Sequence, residues 1–230
     1  MKIVLIHGQN HKGSTYHISR MLAEKINGEI TEFFLPKDLN DFCLGCTTCF
    51  IKGEDNCPHY NQMKPITTAI DEADLIILDS PVYVMHASAP MKNLLDHYGY
   101  RWMVHRPEET MFKKQAVCIS TAAGAGMKRT NKDMADSLFY WGVCKIYSLG
   151  YAVAATSYDE IKKNLKARID SDTSNLARKI MKRNGKIKPG FKTKMMFRIM
   201  RLFQKKSGYN QVDINYWKEK GWLSNCRPWK

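Results

Sequence analysis

No apolar run in this sequence approaches the roughly 18 residues that a membrane-crossing helix needs. The amino terminus also lacks the charged and apolar regions of a signal peptide, so a cytoplasmic protein is expected. Glycine is missing from two informative patterns. There is neither G-x-G-x-x-G nor the Gly-Lys-Ser/Thr ending of a Walker loop, which makes a dinucleotide or nucleoside triphosphate a poor first choice for any phosphate site. No G-x-S-x-G and no H-E-x-x-H occurs, so neither a serine nucleophile on an elbow nor a zinc-protease helix is encoded. Acid is absent from one long stretch: between Lys182 and Lys206 there are ten Lys or Arg and no Asp or Glu. The formal net charge of +14 is thus largely a property of the tail. The preceding three quarters has an ordinary mixed surface, which argues against a fold devoted to nucleic acid, and no nucleic-acid partner is expected. An odd number of cysteines, seven, in a chain without an export signal argues against structural disulfides.

What is present is a chain of 230 residues, 44% hydrophobic and 25% charged, long enough for one sizeable core and an appendage. Lys2 to Ile6 is a short β-branched run closed by Gly8 and reads as a buried strand. Ile18, Met21, Leu22 and Ile26 then recur at helical spacing, with Ser14 as the expected N-cap. Glu29 to Leu35 reads as a second strand, Ile66 to Ala73 as a short helix, and Ala73 to Asp79 as a third, strongly apolar strand. A helix is expected from Met91, a fourth strand over Gln115 to Thr121, and a helix ending near Trp141. A fifth strand from Val143 and a long helix over Asp159 to Arg183 complete the series. Strands alternating with helices predict a parallel sheet covered on both faces.

Ligands of such sheets sit beyond the carboxyl ends of the strands. Three unusual loops follow three of the predicted strands: Gln9 to Thr15, Pro81 to Ser88 and Ala122 to Gly126. The first leads into a helix amino terminus, where free backbone N–H groups and the helix dipole favour an anion. A single terminal phosphate, as on FMN, suits it. Pro81, Val82 and Tyr83 offer backbone groups on a stiff turn and an aromatic face, which suits a flat ring with hydrogen-bonding edges. The small residues of the third loop let backbone N–H groups come close to such a ring. A cofactor that carries the chemistry would explain why no nucleophile and base are paired.

Four cysteines read Cys43-x2-Cys46-x2-Cys49-x7-Cys57, followed by Pro58. Thiolates at that density suit a [4Fe–4S] cluster, a redox-sensitive thiol loop, or zinc. Lys52, Glu54 and Asp55 in the x7 gap read as a solvent-exposed excursion and tip the balance slightly to the thiol loop. Cys118, Cys144 and Cys226 read as small hydrophobes or incidental thiols.

At these residues the chain resembles the flavodoxin-like NAD(P)H-dependent FMN reductase family, including its iron–sulfur flavoprotein branch. The resemblance rests on Gly8 to Thr15, Cys43 to Cys57, Ser80 to Tyr83, Ser88, and Lys92 with Asp96, and spans roughly residues 1 to 155. It implies a three-layer α/β sandwich with a five-stranded parallel sheet in the order 2-1-3-4-5. It also implies FMN as cofactor, with Gln9, His11, Ser14 and Thr15 on the phosphate. Pro81, Val82, Tyr83 and Val84 would border the ring, with Thr121, Ala122 and Gly124 opposite, and Gly13 and Ser88 are counted with the cofactor-binding positions. Gln9 and His11 stand where Ser and Arg are common, which keeps donors but gives up a fixed charge. The implied function is an oxidoreductase that takes hydride from NAD(P)H and passes electrons to a quinone, a flavin or a similar small acceptor. No side chain is nominated as catalytic acid or base; Tyr83 and His86 would shape the nicotinamide or acceptor site. An electron carrier serving a redox protein, and a membrane-associated regulatory protein acting through its tail, are the rival readings. A homodimer or dimer of dimers is implied, with apolar surface at Tyr98 to Trp102.

The division expected along the chain is residues 1–184 for the FMN-binding fold and 185–230 for a basic, aromatic-rich helical extension. Met195, Met196, Ile199, Met200 and Phe203 lie near one helical face, and Trp217, Trp222 and Trp229 follow. Docking of that helix on the core or on a second subunit is preferred over contact with a membrane surface.

Overall fold

A computed structural model describes residues 1–230. The apolar runs form strands β1 (Lys2–His7), β2 (Glu29–Phe34), β3 (Leu75–Tyr83), β4 (His86–Ala87), β5 (Gln115–Ala122) and β6 (Lys145–Ala152). The helices are α1 (Ser14–Ile26), α2 (Thr48–Ile51), α3 (Tyr60–Glu72), α4 (Ala89–His97), α5 (Met127–Trp141), α6 (Lys163–Arg183), α7 (Phe191–Lys206) and α8 (Gln211–Glu219). The parallel strands are ordered β2-β1-β3-β5-β6, the flavodoxin-like arrangement expected, and β4 adds a sixth, two-residue strand antiparallel to the end of β3.

Side chains of a strand alternate between faces, and the two cores divide along that alternation. Val4, Ile6, Ile76, Leu78, Ala116 and Cys118 pack under α3, α4 and α5. Ile3, Leu5, Leu75, Ile77, Val117 and Ile119 pack under α1 and α6. The register aligns Ile6 with Leu78 and Leu78 with Cys118, so the carboxyl ends of β1, β3 and β5 open on one edge of the sheet, with β3 and β5 running on past the end of β1.

Three boundaries differ from the sequence reading for physical reasons. Helix α3 starts at Tyr60, not Ile66, because Met63, Ile66 and Ile70 bury one stripe across Pro65. Helix α6 starts at Lys163, because Glu160 turns back to accept hydrogen bonds from the backbone N–H and hydroxyl of Thr156. The N-cap of α1 is Gly13, which leaves Ser14 as the first helical residue with a side chain that caps nothing.

The tail packs on the core. Phe197, Trp217 and Trp222 join Met103 and Phe112 in a third buried cluster, and the Trp217 indole N–H donates to the His105 carbonyl at 2.6 Å. Met195 and Ile199, read from the sequence as part of the docking face, point outward. The helix is apolar on more than one side, and Phe197 holds the centre of the contact.

Candidate active site at the strand ends

The three loops do meet at the carboxyl edge of the sheet. Gly8 sits where the first loop passes β3: its N–H donates to the Asp79 carbonyl at 2.7 Å, and a Cβ here would lie 2.8 Å from that oxygen. The Ser88 hydroxyl, at the N-cap of α4, donates to the Gly8 carbonyl and ties the second loop to the first. Thr15 and Thr121 share a hydroxyl–hydroxyl hydrogen bond of 2.5 Å, which ties the first loop to the third. The Tyr83 hydroxyl donates to Gln9 Oε1 at 3.1 Å across the mouth. His11 is exposed and lies over Gly13, while Gly124 has open space around it.

The Ser14 hydroxyl is buried and has no hydrogen-bond partner, which is costly for a polar atom unless something else bonds to it. It stands at the amino end of a 13-residue helix whose first N–H groups are also free of helical partners. That combination is suited to an anion.

The second loop is a strained hairpin. Val84 and Met85 both take positive φ, 49° and 68°, as a two-residue turn between β3 and β4 requires. For residues with a Cβ that costs about 1–2 kcal/mol each, and Val84 is 95% exposed. Gly126 of the third loop has φ +100°, and a Cβ there would meet Val82 Cγ1 at 2.4 Å, so the two loops can approach only with glycine at this position. His86 Nδ1 lies 3.0 Å from Asp133 Oδ2, and the same carboxylate accepts from the Ala87 N–H. His86 is therefore held toward α5 by Asp133. Cavities of about 820 and 540 Å³ lie along β6 with α6 and beside the start of β5, and neither includes a residue of the three loops.

Beneath the loops lies a network that the sequence reading passed over. His7 Nδ1 is 2.6 Å from Asp79 Oδ2, and the Ser19 hydroxyl donates to the same oxygen. His7 Nε2 reaches Glu32 at 3.2 Å, and Arg20 pairs with Glu32 in turn. Burial disfavours the imidazolium, but Asp79 and Glu32 outweigh it and raise His7 above its ordinary value. The available signal was a histidine and an aspartate each ending an apolar run.

The cysteine segment folds beside this edge. Cys43 and Cys46 are exposed, Cys49 and Cys57 half-buried, and all are free thiols. Burial, with the neighbouring thiols Cys57, Cys43 and Cys46 adding to it and Arg106 opposing it, pushes Cys49 up to about 11. The Thr48 hydroxyl and backbone lower Cys46. Cys57 also gathers with His59 and His97, their ligand atoms within 4.8 Å of one another. Of the residues expected to be solvent-exposed in the x7 gap, Lys52 and Asp55 are, while Glu54 is half-buried and paired with Arg106 at 3.1 Å.

Arg106 joins this segment to the tail. Its guanidinium donates to the Cys49 carbonyl at 2.5 Å, and to buried Asp213 of α8 at 2.5 Å. Asp213 also takes His105 at 2.8 Å. Removing one member of a buried pair typically costs about 3–5 kcal/mol, so Asp213→Asn should lower the urea midpoint and speed labelling of the Cys49 thiol. Unchanged labelling in a destabilised variant would show that α8 does not hold the cysteine segment.

The family model for NADPH-dependent FMN reductase matches residues 1–158. The chain belongs to that family. An iron–sulfur flavoprotein of Archaeoglobus fulgidus is 27% identical over 206 residues, covering 85% of this chain and 86% of the relative. An NADPH azoreductase of a Bacillus species is 25% identical over 127 residues, covering 55% of this chain and 61% of the relative. Among solved structures, an FMN-dependent NADH-azoreductase from Bacillus anthracis in complex with FMN superposes with a TM-score of 0.56 at 12% identity. That superposition covers 77% of this chain and 100% of the other, and shows a shared fold. Membership makes this FMN reductase-family protein an NAD(P)H-dependent oxidoreductase with FMN as cofactor. No helix is long and apolar enough to cross a membrane.

Proposed function

We propose that FMN sits at the carboxyl edge of the sheet with its phosphate at the amino end of α1. Gln9, His11, Gly13, Ser14 and Thr15 would hold the phosphate. Pro81, Val82, Tyr83, Val84 and Ser88 would lie on one side of the ring, and Thr121, Ala122 and Gly124 on the other. The observation that carries this reading is the buried, unpartnered Ser14 hydroxyl at a helix amino terminus. Bound FMN supplies the redox chemistry, accepting hydride from NAD(P)H and releasing electrons to an acceptor. The protein's part is to bind, orient and shield. Thr15 and Thr121 brace the first loop against the third, while Tyr83 and Gln9 close the mouth. The hydrogen bond of Tyr83 sets where its ring can lie beside a nicotinamide or acceptor, and His86, held by Asp133, borders the same hairpin.

The acceptor we favour is a small molecule such as a quinone or a free flavin. Steady oxidation of NADH or NADPH with a soluble quinone, in excess over the protein, is the expected result. A single stoichiometric reduction without turnover would make the protein a carrier for a redox partner instead. We also place it in the cytoplasm, in keeping with seven free thiols.

Cys43, Cys46, Cys49 and Cys57 would hold a [4Fe–4S] cluster, which relays single electrons. Support comes from the anchoring of Glu54 and of the Cys49 carbonyl by Arg106, which fixes one side of the x7 gap while Lys52 and Asp55 stay exposed. The iron–sulfur flavoprotein among the relatives points the same way. The apolar surface expected at Tyr98 to Trp102 is not there, because Tyr98 and Tyr100 are buried in the chain's own core. A homodimer or dimer of dimers is proposed instead because exposed Tyr83, Val84 and Met85 leave the hairpin tip uncovered in a single chain. Light scattering at micromolar concentration should give at least a dimer's mass, and a monomer's mass with FMN bound would count against it.

A further inference from the structure

Helix α7 has two apolar faces, and only one of them is used by the fold. On the inner face Phe197, Thr193 and Gln204 are buried, with Phe197 against Phe112, Trp217 and Trp222. On the outer face Phe191, Met195, Ile199 and Leu202 are 78%, 43%, 47% and 56% exposed. Their spacing of four, four and three puts them in one stripe along the helix, about 16 Å long. Lys192, Arg198, Lys205 and Lys206 are exposed around that stripe. No acidic residue occurs between Lys182 and Lys206.

We propose that this outer face docks on a membrane surface rich in anionic phospholipid. The stripe would enter the boundary between headgroups and acyl chains, with the lysines and arginines on the phosphates. A basic helix with one continuous apolar ridge binds interfaces in this way, gaining from apolar burial and from attraction to anionic lipid together. A second copy of the chain is a poor occupant, because it would set one acid-free basic face against another. Nucleic acid is poorer still: phosphate contacts call for cations and leave four large aliphatic and aromatic side chains stranded in water.

The position of α7 is compatible with turnover. Its inner face packs near Phe112 and Cys144, which immediately precede β5 and β6. The helix therefore lies toward the amino ends of these strands, opposite the edge where the three loops meet. A docked molecule keeps that edge open to water.

The test is flotation of full-length, FMN-loaded protein with vesicles, either phosphatidylcholine alone or an equal mixture with phosphatidylglycerol. The protein should float with the mixed vesicles, at least about tenfold less with phosphatidylcholine, and progressively less as salt is added. Met195→Ser with Ile199→Ser should weaken flotation by at least about tenfold while circular dichroism and flavin absorbance stay unchanged. Lys192→Gln with Arg198→Gln should release the protein at lower salt. Failure of the wild type to float with anionic vesicles would overturn the proposal, as would equal binding to both vesicle types. So would stripe variants that float like the wild type. A stripe variant that turns a dimer into a monomer, in protein that does not float, would assign the face to a second copy and overturn it too. Oligonucleotide binding unaffected by the stripe changes, again without flotation, would do the same.

Discussion

Protein purified without air should contain about four iron and four acid-labile sulfides per chain, and Cys46→Ser should lose most of both while keeping FMN. Cysteine ligands act together, so removal of one opens a corner of the cluster to solvent and to loss of iron. Cys46 is a discriminating choice because its thiol is exposed. The phosphate loop lies on a different segment, so flavin content serves as the internal control. If the four thiols form a redox-sensitive loop instead, anaerobic protein will be free of iron, and labelling of the thiols will depend on flavin occupancy. Zinc recovered in place of iron would point to a mixed site, and Cys57 with His59 and His97 would be its first candidate.

Ser14→Ala with Thr15→Ala should weaken FMN binding by about 3–6 kcal/mol, or about 10²- to 10⁴-fold in Kd, if two hydrogen bonds to a charged phosphate are lost. Ser14→Ala alone should even stabilise the flavin-free chain slightly, because it removes a buried hydroxyl that has no partner. That opposite sign is the useful part: a site residue improves the empty protein when removed and harms the loaded one. Thr121→Val breaks the hydroxyl bond to Thr15 from the third loop and leaves the residues of the first loop in place. Unchanged flavin affinity in the double variant would move the phosphate away from α1.

The sheet was legible because each strand is a short apolar run ended by a polar or breaking residue, and alternation along Val4, Leu5 and Ile6 served both cores. The loops were legible for the same reason, as the stretches left over at the strand ends. The errors were local. Ser14 looks like an N-cap, yet Gly13 takes that role, because capping depends on backbone angles that composition does not fix. The helix expected from Ile66 begins at Tyr60, because a buried stripe runs through Pro65. Most of what was missed is long-range: His7 with Asp79, and Arg106 with Asp213, are pairs that only the folded register and the docking of the tail bring together. Periodicity reports which face of an element is buried, and says little about which distant charge it meets.

The Arg106 anchor sets an order of events during synthesis. Cys49 and Asp213, which the guanidinium ties together, are 164 residues apart (213 − 49). At 5–20 residues per second the ribosome needs about 8–30 s to cover that distance. For that interval the cysteine segment exists as a nascent loop whose carboxyl-terminal support has not been made. Cys43 can be tied to Asn93 of α4 and Cys49 can pack on the main core before then, so the tie to Asp213 is the last of the segment's supports to be made.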